Sequence, residues 1–151
     1  MIKLGFLLPA GIVIFIFMMK LFVNEKFSFE TFKRLFVEAS TDITSLGVSF
    51  MVSYIIAIAN KIALIEELEK TNEQMQIMLS QYWDLFGLGL FMLFLYIIAL
   101  ALVVFISKLC ISKYTEKEKN IYIIVGSIIG YMIAVPAMAY AIVLIKSIGG
   151  I

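Results

Sequence analysis

"DITSLGVSFMVSYIIAIAN", residues 42–60, is apolar enough to lie in a bilayer, yet it carries an acid, a threonine, three serines, a tyrosine and an asparagine. At ~100° per residue, Asp42, Ser49, Ser53 and Asn60 fall within about 20° of one line along a helix, with Ser45 about 60° to one side. Phe50, Met51, Ile55, Ile58 and Ile62 occupy the other faces and suit lipid or other apolar helices. An unpaired hydroxyl or amide in hydrocarbon costs several kcal/mol, so the polar line must face protein or water.

The rest of the chain has the same character. Of 151 residues, 63% are hydrophobic and only 15% charged, and the mean hydropathy is +1.06. These values lie far outside the soluble globular class and indicate an integral membrane protein. A spanning helix needs ~20 apolar residues, so the length accommodates about four crossings and no separate soluble domain. The expected fold is all-α and polytopic: spans over residues 4–23, 42–64, 83–106 and 121–145, an interfacial helix over 28–40 and a polar hairpin tip over 65–82. The first apolar run follows Lys3 but ends in no small-x-small cleavage site, so it reads as a retained helix.

In "FSFETFKRLFVEAS", Phe29, Phe32, Leu35, Phe36 and Ala39 recur at helical spacing opposite Glu30, Lys33, Arg34 and Glu38. Ser28 is a candidate N-cap, and such a basic and aromatic amphipathic segment between two spans commonly lies in the headgroup plane. The rival reading makes Phe29, Phe32, Lys33, Arg34 and Phe36 a docking surface for a partner protein. Ser40, Thr41 and Asp42 then read as the cap of the second span. Lys20, near the end of the first, reads as a snorkelling anchor.

Two signals compete after residue 64. Thr71 with Gln74 matches a capping box and sets a turn at residues 70–72. Against it, Ile65, Leu68, Asn72, Met75, Leu79, Tyr82 and Phe86 follow a heptad seam. An unbroken helix through residues 42–108 would approach ~100 Å, which so small a chain could hardly support, so the turn is preferred. Tyr82 and Trp83 then anchor one end of the third span and Lys108 the other. In the fourth span Gly126, Gly130 and Ala134 form a ridge of small residues that admits a second backbone, ahead of a kink at Pro136.

Lys20, Lys26, Lys33, Arg34, Lys108, Lys113, Lys117 and Lys119 gather in loops one and three. The positive-inside rule therefore sets those loops in the cytoplasm and the acidic hairpin tip outside.

Several function classes are disfavoured. The chain has no histidine and a single cysteine, which excludes an internal disulfide, a Cys/His zinc site and a histidine base. Cys110 reads as a small boundary residue rather than an acylation site. No phosphate loop, nucleotide signature or deep carboxylate with a nucleophile is present, so no enzyme, cofactor or metal is expected, and no basic footprint points to nucleic acid. Proton-coupled export normally needs an ionisable residue at mid-membrane; small multidrug exporters carry a glutamate in the first span, and "LGFLLPAGIVIFIFMM" has none.

Two readings of the stripe stay open. In one, Ser45, Ser49 and Ser53 pack as a small-x-x-x-small ridge on another span, with Asp42 as cap and Asn60 bonding across helices. Alternatively, copies of this helix surround an axis, the serines wet a path, and a ring of Asp42 favours cations. One four-span protomer encloses little room, so conduction implies a homo-oligomer, for which Gly126, Gly130 and Ala134 are a second candidate contact. The Lys- and Ile-rich usage has the flavour of a bacterial or phage chain in the inner membrane. By fold-level analogy with small four-span subunits of phage lysis and anti-phage defence, the expected function is a pore or membrane-perturbing effector. The alternative is a non-conducting anchor or sensor that recruits a soluble cytoplasmic partner.

Overall fold

The computed structural model describes residues 2–23, 28–68 and 73–149. Among these the chain forms four helices, α1 (Ile2–Val23), α2 (Phe29–Leu68), α3 (Glu73–Lys117) and α4 (Asn120–Gly149). Three of them, α2, α3 and α4, are long and apolar enough to cross a membrane. Their outward surface carries large apolar side chains such as Phe91, Phe94, Phe105, Ile128 and Met132. Exposed apolar area on this scale fits lipid rather than water, and the protein is membrane-embedded.

Helices α2, α3 and α4 pack mutually and form the core, while α1 lies against α2 and touches α4 lightly. Met51, Ile58, Val37 and Val103 are fully enclosed. Gly47 sits beside Tyr96, and Gly89 beside Tyr54 and Ile55, which sets α2 and α3 antiparallel. The chain therefore reverses between Leu68 and Glu73. Thr71 and Asn72, and the side chain of Gln74, lie outside the described residues. The heptad signal has its own explanation. Ile65, Leu79, Tyr82 and Phe86 belong to one apolar cluster, so the seam on either side of the reversal packs upon itself.

One boundary differs from the sequence reading. Residues 28–40 are not a separate in-plane helix, because residues 29–68 form one unbroken helix. Ser40 and Thr44 explain the continuity: the Ser40 hydroxyl donates to the Val37 carbonyl and the Thr44 hydroxyl to the Ser40 carbonyl, each at 2.8 Å. These hydroxyls bond back into their own helix instead of ending it. Ser28 does act as the cap, its Oγ accepting the Thr31 amide at 3.1 Å. The segment "SKYTEKEKN", residues 112–120, continues α3 to Lys117, and α4 begins at Asn120. Glu118 takes the left-handed conformation, φ 53°, and its amide donates to the Tyr114 carbonyl at 2.8 Å. That is the geometry of a helix C-terminus, usually filled by glycine.

α3 is uncharged from residue 85 to residue 107, with Asp84 and Lys108 at the edges. This run is about 34 Å long at the helical rise, close to the thickness of hydrocarbon. Past Lys108, α3 continues to Lys117, a further rise of about 14 Å.

Candidate functional site

The polar line of α2 is turned out of the protomer. Ser45, Ser49, Ser53 and Asn60 are all exposed, as are Val52 and Ile56 nearby, whereas Met51, Tyr54, Ile55, Ile58 and Ile62 fill the core. Larger apolar side chains bury more area per residue, so they take the interior and leave the serines outside. The Ser49 hydroxyl donates to the Ser45 carbonyl at 3.1 Å and the Ser53 hydroxyl to the Ser49 carbonyl at 3.0 Å. Among the described residues the serine ridge does not pack on another span of the same chain.

Asp42 does not cap a helix. It lies well inside α2, and both its carboxylate oxygens accept from the Lys20 ammonium of α1, at 3.0 and 2.8 Å. The pair is partly shielded, with 37% of the lysine and 21% of the aspartate side chain exposed. A bare acidic ring is thereby replaced by an ion pair whose net charge is zero. Sequence reading treated the two residues separately. The available signal was that each is a solitary charge of opposite sign set within or at the edge of an apolar run.

Gly126, Gly130 and Ala134 are buried inside the protomer, so they are not an oligomer contact. A Cβ at Gly126 would stand 2.8 Å from the Cβ of Cys110, and one at Gly130 would stand 2.9 Å from the Cβ of Ser40. The ridge is the seat of α4 on α2 and α3. It also buries Cys110.

The partner-surface residues are divided. Lys33 donates to Asn120 Oδ1 at 2.8 Å and stands 4.7 Å from the centre of the Phe29 ring. Arg34 donates to Thr115 Oγ1 at 3.2 Å. Both tie the start of α2 to the α3–α4 turn. Phe32 meets Phe17 edge to face at 5.6 Å and stacks on Phe36 at 6.3 Å. Phe36 in turn contacts Tyr131, whose hydroxyl donates to the Phe36 carbonyl at 3.0 Å. Phe29 and Phe36 remain exposed. Sequence reading missed Tyr114, which donates to the Glu30 carboxylate. The bond lies beyond the apolar slab; it holds the Glu30 carboxyl below the usual carboxylate range and pushes the Tyr114 phenol up. Around it runs an open polar groove of about 420 Å³ that includes Glu30, Arg34, Tyr114 and Glu118.

Among the described residues no group of three metal-capable side chains gathers. Comparison with protein-family models, with curated proteins and with solved structures finds no match for the chain.

Proposed function

We propose that the protein is a bacterial or phage inner-membrane subunit that self-associates through the serine face of α2 and lines a narrow polar path between copies. In this reading α1 crosses as a fourth span, and the first turns of α2 stand at the cytoplasmic boundary. The single observation that carries it is the outward setting of Ser45, Ser49, Ser53 and Asn60 on a helix whose apolar side chains fill the core. Hydroxyls bonded to their own helix keep acceptor capacity for water, and among the described residues the exposed Asn60 amide has no partner. With Asp42 held by Lys20, the mouth is a ring of ion pairs, so cation preference over anions is weak. The fitting role is a membrane-perturbing effector of the lysis or defence kind.

Conductance of the purified protein in planar bilayers, with particle size measured alongside, tests the proposal. A strictly monomeric and non-conducting protein in native nanodiscs overturns it. One observation favours a second reading, an anchor or sensor for a soluble partner: the projecting helix ends carry the groove at Glu30, Arg34 and Tyr114. Under that reading Arg34→Glu abolishes the cellular effect of a protein that never conducts.

A further inference from the structure

Charged side chains are costly at membrane depth, and they persist there when each finds a partner. Between α2 and α3, beside Lys20 of α1, a pocket of about 210 Å³ has Lys20, Glu38, Thr41, Asp42, Ser107 and Lys108 among its lining residues. Lys20 and Asp42 satisfy one another. Among the described residues, Glu38 and Lys108 make no ion pair or hydrogen bond. A carboxylate and an ammonium thus share a cavity without joining. Ser107 is only 3% exposed, and its buried Oγ has no partner.

A second cavity continues from the first. It is a groove of about 540 Å³ between α1 and α2 that shares Lys20 and Glu38, and its other walls are Phe15, Ile16, Met19, Val23 and Leu35. Lys108 is the first charge past the apolar run of α3, so the polar pocket lies at headgroup depth. A dipolar head beside an apolar channel at this level matches the shape of a phospholipid.

We infer that this cleft binds one zwitterionic phospholipid per protomer, its phosphate on Lys108, its primary ammonium on Glu38 and an acyl chain in the α1–α2 groove. The site goes beyond the conduction reading and does not depend on it. A net-negative headgroup has no ammonium to offer Glu38 and leaves that carboxylate uncompensated beside a second negative charge. A quaternary ammonium offers Glu38 no N–H donor, and no aromatic ring lines the polar pocket to cage it. A soluble zwitterion leaves the apolar groove unused.

The test uses the full chain in nanodiscs of equal parts phosphatidylethanolamine, phosphatidylcholine and phosphatidylglycerol, followed by native mass spectrometry. The expected result is one retained phosphatidylethanolamine per protomer, favoured about tenfold over the other two, as charge-assisted hydrogen bonds allow. Glu38→Gln should erase the preference over phosphatidylcholine, and Lys108→Gln should lower retention of all three. Ser45→Ala, on the far stripe, should change nothing. Helicity and particle size check the folding of each variant. Equal retention of the three lipids by the wild type overturns the inference, as does wild-type retention in both pocket variants. Millimolar phosphoethanolamine in the aqueous phase should fail to displace the retained lipid; displacement would reassign the pocket to a soluble zwitterion and end the lipid assignment. These wild-type arms decide the matter even where a variant fails to fold.

Discussion

Two rows of small residues share one spacing and have opposite fates. Gly126, Gly130 and Ala134 on α4 are buried against α2 and α3, whereas Ser45, Ser49 and Ser53 on α2 are exposed. A small-x-x-x-small pattern states that close approach is possible, but not to what. The neighbours decide. On α4 the glycines stand opposite Cys110 and Ser40, themselves small, so the backbones close until no Cβ fits. On α2 the competing face holds Met51, Tyr54, Ile55 and Ile58, and that face wins the interior. One row holds the protomer together, and the other faces out of it.

The largest way to break this contrast is Gly130→Leu. The first added atom meets Ser40 Cβ at 2.9 Å, and because that serine is fully enclosed, α4 must shift. A loss of about 3 kcal/mol or more is expected, seen as a lowered melting temperature in mild detergent and as aggregation. A folded, stable protein whose only change is a smaller particle would return the ridge to the outside. Next in size is the Lys20–Asp42 pair. Asp42→Asn should cost about 1–2 kcal/mol, between an exposed and a buried pair, and should raise the labelling rate of a cysteine set at position 16 of α1. The double variant Lys20→Met, Asp42→Asn should recover most of that loss. Additive losses in the cycle would show that the pair does not hold α1.

The turn that brings the glycine ridge to its seat gives a smaller and opposite effect. Glu118 has a positive φ, 53°, where a side chain costs about 1 kcal/mol that glycine avoids. Glu118→Gly should therefore raise the melting temperature by a few degrees. An unchanged or lowered value would mean that the Glu118 side chain contributes a contact of its own.

How much of this was legible follows from what each residue type can do. The apolar runs and their lengths carry the helical, membrane-embedded character directly, since the bilayer admits few alternatives. The reversal between Leu68 and Glu73 falls beside the acidic run and the capping box. The start of α2 was misread because Ser40, Thr41 and Asp42 can either cap a helix or bond within one. Leu35 and Ala39 on the amphipathic segment face the bundle, not a headgroup plane. Pairings such as Lys20 with Asp42, and Glu30 with Tyr114 84 positions away, depend on tertiary register that local periodicity does not encode. The unpartnered Ser107 hydroxyl is a property of packing alone.

The smallest effect on the protomer is expected where the consequence for assembly is greatest. Ser49 and Ser53 are exposed, and their hydroxyls bond only to carbonyls of their own helix. Ser49→Leu with Ser53→Leu removes no contact between helices and relieves two back-bonds, so unfolding of the isolated protomer should change by less than about 0.5 kcal/mol. In the proposed assembly the same leucines would stand where two copies meet around a wetted path. They should dewet it, so conductance per particle falls to the bilayer background while the particle still forms or shifts toward monomer. Ser49→Ala with Ser53→Ala separates bulk from polarity: the ridge stays narrow, the copies still meet, and only wetting suffers. Loss of protomer stability in the leucine pair, comparable to that of Gly130→Leu, would place the serine row inside the bundle after all and dissolve the contrast between the two ridges. Full conductance in the leucine pair would instead move the path away from α2.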